Sequence, residues 1–573
     1  MSELTLHGLA ASAGVAVGDA RQLEASQPDD LPHRGHTLEA EAALEALDRE
    51  AADLQARAGR LRADGFALES EILGAGRLMA LDPLLRAEVE RLTAELTAAA
   101  ALRAATDRHA ALLAALPDPL LASRATDVRE LGRRAARKLA PESLDEASDR
   151  AAVLVAFDLG PADVAEVRES EQPVIAIALA AGAATSHAAI MARSLGLPMV
   201  VGVGEAILEA TGRIAVDGDA GVAFVDPTPA REAWAEGEME RLRRERRAYA
   251  RARALPPVTL DGRWVTLLGN AATAVEIRAV ADAEVDGVGL LRTELAFLDA
   301  PAWPGEEEHV RVLAPLLGLL QGMVATIRVL DFGSDKTPPF LAGTDQRGLE
   351  LLLEQPEQLA AQLRAILRTA KGTELRILLP LVESPEQVRT VRTLLGTAAA
   401  AAGWDAPLPQ LGAMIETPAA ARRAHDIALE TDFLSIGTND LVQYTLGLDR
   451  TQPVATAHSA ADPRVLGLVA ATVRAATAAG VTVEVCGESA SVPELAALYV
   501  GLGVAELSVA PARLDELRAT VRALSAEQAS ATAEQALLAP SQDAALTLAR
   551  ELLSDELGDQ HGEMLGGRDG VLA

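Results

Sequence analysis

From residue 258 onward the chain repeats one pattern: a short apolar run ending in Gly, Asn, Asp or a charge, then a stretch with helical spacing. The runs are "WVTLLGN" (264–270), "GVGLLR" (287–292), "ATIRVLD" (325–331), "LRILLP" (375–380), "LGAMIE" (411–416), "FLSIGTND" (433–440), "TVEVCGE" (482–488) and "AELSVAP" (505–511). Eight strands separated by helices are what a closed (β/α)8 barrel of parallel strands requires. In such barrels the reacting groups sit at the C-terminal strand ends. Those ends carry Asn270, Arg292, Arg328, Glu416, Asn439, Asp440 and Cys486. Arginine, carboxylate and amide together mark a catalytic mouth.

The first half reads differently. Residues 38–140 are rich in Ala, Leu, Glu and Arg with apolar residues three and four apart, as in "EAALEALDREAADLQARAGRLRA", which predicts several packed helices. On either side lie "LAASAGVAVGDA", "AAVLVAFDLGP", "QPVIAIALAAG" and "RIAVDGDAGVAFVDP", the last three bounded by Gly, Asp and Pro as strands are. The expected fold is therefore multidomain α/β: an α/β domain from 1–25 and 145–226, a helical insertion at 26–144, a charged helical linker within 227–257, and the barrel from 258 to 573. At 573 residues the usual domain size suggests roughly three or four units.

Composition excludes several classes of function. A formal charge of −31 disfavours a nucleic-acid partner, which would need a basic surface, and suits a basic protein partner. One cysteine excludes an intrachain disulfide framework and a multi-cysteine zinc site. No apolar run is long enough to cross a bilayer and the N-terminus lacks a secretory pattern, so the expected address is cytoplasmic, without membrane insertion.

The strand ends would support anion chemistry. Arg292 and Arg328, with Arg450 beyond its strand, offer planar forks for carboxylate or phosphate oxygens, although a single arginine is commonly a surface ion-pair residue. Glu416 and Asp440, from different strands, are hard oxygen ligands suited to Mg²⁺. Cys486 is either a small buried hydrophobe or a thiol that hands a proton to an enolate carbon. Lys336 in "DFGSDKTPP" is a loop lysine within reach of a phosphate role, or simply solvated. His187, in "TSHAAIMARSLGLPMVVG", stands where an apolar strand gives way to a helix. The plain reading is that Ser186 caps the helix and His187 packs on it. The chemical reading is that the positive helix start favours a phosphoryl group on a neutral imidazole nitrogen.

Together, "TSHAAIMARSLGLPMVVG", "GVGLLRTELAF", "IRVLDFGSDK", "IETPAAA", "SIGTNDLVQYTLGLDR" and "VCGES" resemble Enzyme I of the bacterial phosphoenolpyruvate-dependent sugar phosphotransferase system, over essentially the whole chain. Pyruvate phosphate dikinase and phosphoenolpyruvate synthase share motifs but carry a nucleotide-binding domain for which this chain has no room. The resemblance implies a swivelling phosphohistidine domain with an inserted domain for the carrier HPr, followed by a phosphoenolpyruvate-binding TIM barrel that dimerises. It implies that His187 is phosphorylated from phosphoenolpyruvate and passes the group to a histidine of HPr. Arg292, Arg328, Arg450, Asn439 and Asp440 would bind substrate, Arg347 aligns with another anion binder, Glu416 and Asp440 would hold Mg²⁺, and Cys486 would protonate the enolate to pyruvate.

The chain departs from that pattern at Ala183 after Gly182, at Ala188 for a usual Thr, at Val329 for a common Thr, and at Gly76 for a common His. These departures motivate the alternative of a regulatory homologue that senses phosphoenolpyruvate without turnover. A third reading is transfer to a small molecule such as pyrophosphate or water.

Overall fold

The computed structural model describes residues 3–23, 33–63, 67–115, 119–139, 150–167, 173–184, 186–298, 300–333, 337–341, 343–344, 346–448 and 456–566. The chain divides into two compact units, Met1–Glu245 and Arg246–Ala573.

The first unit is built on an eight-stranded sheet: β1 (Leu4–His7), β2 (Leu9–Ser12), β3 (Val15–Gln22), β4 (Ala152–Ala156), β5 (Val174–Leu179), β6 (Met199–Val201), β7 (Arg213–Asp217) and β8 (Val222–Val225), in the order β1-β8-β7-β3-β4-β5-β6-β2. β3 to β6 run parallel, and the remaining pairings are antiparallel. The chain leaves the sheet after β3 and returns beside it in β4. Between them it forms α1 (His36–Ala63), α2 (Ala67–Ala80), α3 (Pro83–Leu92), α4 (Ala98–Ala114) and α5 (Pro119–Arg137). The Asp82 carboxylate accepts from the Leu84 and Leu85 N–H groups, and Pro83 opens the first turn, so α3 starts where its sequence says it should. Ala43, Leu47, Ala51 and Leu54 form the buried stripe of α1. A Cβ at Gly132 would overlap Thr106, which is how α4 and α5 come so close.

Arginine and carboxylates tie these helices to one another and to the helix that follows β4. Arg134 on α5 is buried and bonds Glu50 on α1 (2.6 Å) and Asp163 (3.0 Å) on α6 (Pro161–Val167). Glu130, also buried, accepts from the Asp163 N–H at 2.8 Å. After β5 comes α7 (His187–Leu195), and after β8 comes α8 (Pro229–Arg251), a helix with many charged residues that runs through the division between the units.

The second unit is the closed barrel: β9 (Thr266–Ala271), β10 (Gly287–Arg292), β11 (Val324–Arg328), β12 (Glu374–Leu379), β13 (Gln410–Ile415), β14 (Phe433–Ile436), β15 (Thr482–Val485) and β16 (Glu506–Val509). Every pairing is parallel, and β16 closes on β9 with Glu506 opposite Thr266. All eight apolar runs read from the sequence are strands. Four stop two or more residues earlier than expected: β11 ends at Arg328, β16 at Val509, β14 at Ile436 because a helix begins at Thr438, and β15 at Val485 before a helical turn at Glu488–Ser491.

Strand alternation sorts side chains into two sets. Ile377, Leu379, Leu411, Ala413, Ile415, Leu434, Ile436, Val483 and Val485 join the main core between strands and helices. Their neighbours Leu378, Met414, Phe433 and Cys486, with Leu290, form a separate cluster that fills the lumen.

Candidate active site at the barrel mouth

Arg328, the last residue of β11, is 4% exposed and still charged. It is paired with Glu294, on the turn after β10, and with Asp331 at 2.9 Å. Burial alone would lower its pKa, but Asp331, Glu294 and Glu416 outweigh that and raise it. Its backbone is held too: the Thr293 hydroxyl donates to the Arg328 carbonyl at 2.9 Å, and Gln362 donates to Thr293 while accepting from the Leu330 N–H. Arg292, at the end of β10, is half-buried, and among the described residues it has no ion-pair partner.

Glu416 follows β13 and is buried; one of its oxygens accepts from the Leu381 N–H at 2.8 Å. Leu381 holds φ 48°, a left-handed conformation that costs a β-carbon residue on the order of 1–3 kcal/mol, so the surrounding structure imposes it. Asp440 accepts from Arg347 at 3.0 Å, and Arg347 also reaches the Tyr444 hydroxyl at 3.4 Å. Asn439 accepts from the Glu488 N–H at 3.0 Å. Asn439 and Asp440 were expected at the end of a strand. They lie instead in the first turn of helix Thr438–Leu446, just beyond β14.

The carboxylates crowd one another. Burial first, then the charges of Asp440 and Asp331, push Glu416 up to about 8, against the pull of Arg328 and the Leu381 N–H. Asp331 Oδ1 is buried with no hydrogen-bond partner among the described residues. A cation would relieve both, and an all-oxygen donor set fits a hard divalent ion. Among the described residues no group of three or more His, Cys, Asp or Glu forms a complete cage, so substrate and water would supply further ligands.

Cys486, directly after β15, is 1% exposed. Its Sγ accepts from the Ser435 hydroxyl at 3.1 Å, and Asn270 donates to its backbone carbonyl at 3.1 Å while accepting from Ser508 at 2.7 Å. Burial, then Glu484, push the thiol up to about 12, so at neutral pH it is a proton donor and a poor nucleophile. A cavity of about 150 Å³ opens beside this cluster, lined by Thr438, Asn439, Gln443, Thr456 and Glu488. Arg328, Glu416 and Asp440 do not line it, so it neighbours the charged rim without coinciding with it.

In the first unit Ser186 caps α7, accepting from the Ala189 N–H at 3.2 Å, and His187 is the first helical residue. The His187 side chain lies outside the described residues, as do Lys336 and Arg450. Ala188 and Val329 are fully buried in apolar cores, and a Cβ at Gly76 would meet only Leu54 Cδ1, at 3.5 Å.

Arg328, Glu416 and Cys486 thus lie at or just past the ends of β11, β13 and β15, and Asn439, Asp440 and Arg347 on the turns that follow β14 and β11 in the same barrel. Sequence reasoning missed Glu294, Asp331, Leu381, Gln362, Ser435 and Glu484. A signal existed for Asp331, three residues after Arg328, and for Ser435 and Glu484, polar residues inside apolar runs. None existed for the Leu381 N–H or for Gln362, which sits on a helix far along the chain.

Three family models match: the PEP-utilising enzyme N-terminal domain at residues 7–124, its mobile domain at 149–221, and its PEP-binding domain at 246–526. The phosphoenolpyruvate-protein phosphotransferase of Streptomyces coelicolor is 37% identical over 97% of this chain and 100% of its own length. That of Cupriavidus necator is 33% identical over 94% of this chain and 98% of its own. The multiphosphoryl transfer protein of Rhodobacter capsulatus is 39% identical over 77% of this chain, and the match spans about half of that longer relative, 54%.

Proposed function

The chain belongs to the phosphoenolpyruvate–protein phosphotransferases, the Enzyme I family of PEP-utilising enzymes, and on that premise we propose that it phosphorylates His187 from phosphoenolpyruvate. The phosphoryl group then passes to a histidine of the carrier HPr, and pyruvate is released, as the first step of a sugar phosphotransferase system. The observation that carries this reading is the convergence of Arg328, Arg347, Glu416 and Asp440 with a protonated Cys486 at one barrel rim.

In this reading Arg292, free of ion pairs among the described residues, and Arg328 clamp the carboxylate and phosphate of the substrate, with Arg450 and Lys336 as further candidate contacts. Glu294 and Asp331 hold Arg328 rigid, so little reorganisation is needed as charge develops. Asn439 and Arg347 orient the substrate and Asp440. Mg²⁺ on Glu416 and Asp440 would neutralise charge on the transferring phosphoryl oxygens. As the phosphorus–oxygen bond breaks, the enolate carbon takes the Cys486 thiol proton and becomes the methyl of pyruvate.

The same reading assigns 1–25 and 145–226 to a phosphohistidine domain, 26–144 to HPr binding, 227–257 to a linker, and 258–573 to phosphoenolpyruvate binding and homodimerisation, in the cytoplasm. Among the described residues no helix is long and apolar enough to cross a membrane. Labelled phosphoenolpyruvate with Mg²⁺ should leave an acid-labile, base-stable label on the protein that His187→Ala abolishes; an unlabelled wild type refutes the proposal. Ala188, the buried residue after His187, lacks the hydroxyl of the family's usual Thr, and this favours the alternative of sensing without turnover. That alternative predicts phosphoenolpyruvate binding with no pyruvate formed.

A further inference from the structure

One buried acid in the barrel has no part in the reaction as described. Glu484 on β15 is fully buried in the lumen; it is two residues before Cys486 and on the same face of the strand. It stands in register between Ser435 on β14 and Glu506 on β16. Among the described residues the cation that acts on it, Arg376 on β12, is committed to Glu506 at 2.7 Å and rests against the Phe433 ring. One Glu484 oxygen lies 3.4 Å from the Ser435 hydroxyl, and the other has no hydrogen-bond partner among the described residues. An ionised carboxylate so placed would leave charge buried and unpaired. Burial, then Glu506, raise its pKa well above the ordinary carboxyl value, against the pull of Arg376 and Ser435.

The hydrogens then account for themselves. Ser435 is within reach of both Glu484 and Cys486 but has one proton to donate. With Glu484 protonated, its O–H donates to Ser435 Oγ, Ser435 donates to Cys486 Sγ, and the thiol donates to the Ile436 carbonyl, 3.8 Å away. Every donor in the line has an acceptor, and the line leads from the mouth down the lumen.

We propose that Ser435 and Glu484 form a buried proton relay that restores the Cys486 thiol between turnovers. The inference rests on the reading of Cys486 as the proton donor. When the thiol S–H breaks and the enolate C–H forms, the Ser435 O–H bond breaks to remake S–H, and the Glu484 O–H bond breaks to remake the serine hydroxyl. The negative charge ends on Glu484 rather than on sulfur. Glu484 regains its proton from water at the lower end of the barrel, on the side of Glu506, which is 7% exposed.

The test is a double-label exchange with the full-length protein, Mg²⁺ and phosphoenolpyruvate. Carbon-labelled pyruvate reports label entering phosphoenolpyruvate, and methyl-tritiated pyruvate reports tritium reaching water through the thiol. Glu484→Gln and Ser435→Ala are expected to lower the tritium released per carbon exchanged by about 10²-fold, the lower end of what a positioned acid–base group contributes. Glu484→Asp, which keeps the acid, should recover part of it. A ratio equal to wild type in both variants, or carbon and tritium exchange falling in equal proportion, overturns the relay. Cys486→Ala separates the two ideas: a wild-type ratio there removes the thiol as proton donor, whereas a depressed ratio in Cys486→Ala alone removes only Ser435 and Glu484.

Discussion

Glu416 has almost no freedom of position, and a single hydrogen atom on a neighbouring residue is part of the reason. A Cβ on Gly437 would lie 2.5 Å from Glu416 Oε1 and 2.6 Å from its Cγ, both closer than real Cβ atoms come. Gly437→Ala is therefore expected to displace the carboxylate while leaving the barrel folded. Misplacement on the scale of 1 Å can cost roughly 10²-fold, so kcat should fall by about that factor, with the melting temperature changed little. Steady-state kinetics alongside a thermal melt checks this, and a variant with wild-type kcat would show that Glu416 tolerates displacement. At this scale much was legible. Arg328, Glu416 and Asp440 each break an apolar run, and a charge at the end of a buried strand is rarely idle. Glu294 and Asp331 escaped notice because an acid two or three residues past an arginine reads as an ordinary loop charge.

Among the elements, helix Glu306–Leu317 carries a histidine in an unusual setting. His309 is fully buried, edge-on to Phe297 at 4.9 Å, and neither ring nitrogen has a hydrogen-bond partner among the described residues. Burial lowers its pKa from 6.5 to about 4, opposed weakly by Glu308. The folded state therefore holds the ring neutral where the unfolded chain would take a proton. Stability from this residue is complete above pH 6.5 and is lost as pH falls toward 4, by at most about 3 kcal/mol. His309→Leu should flatten that acid limb in chemical denaturation measured between those limits; an unchanged limb would place the titration elsewhere. Element boundaries were less legible than element types. β14 and β15 were expected to run on through Asp440 and Glu488, yet helical turns take over within three residues of each strand's end. Single-residue hydrophobicity does not register that switch, because the polar residues of a first helical turn look like those of a strand's end.

For the whole molecule, the two units have separate buried cores: the main cluster of the barrel contains no residue before Val265, and the clusters of the first unit none after Ala235. Two unfolding transitions are expected in calorimetry. Phosphoenolpyruvate with Mg²⁺ should raise the barrel transition, by about 2.7 kcal/mol at a hundredfold excess over Kd, and leave the other unmoved. A single transition shifted as one would contradict independent cores. The sequence by itself determined the alternation of eight strands and their helices, the helical excursion between β3 and β4, and the charged residues of the rim, because each is written in local spacing of apolar and polar side chains. Only the tertiary structure decided which of those polar groups meet. Ser435 lies 51 residues from Cys486 and Glu484 lies 49 from Ser435, and strand register alone puts them in contact. The same closure of the barrel strips water from the lumen, which keeps the Cys486 thiol protonated and turns buried carboxyls from surface charges into acids.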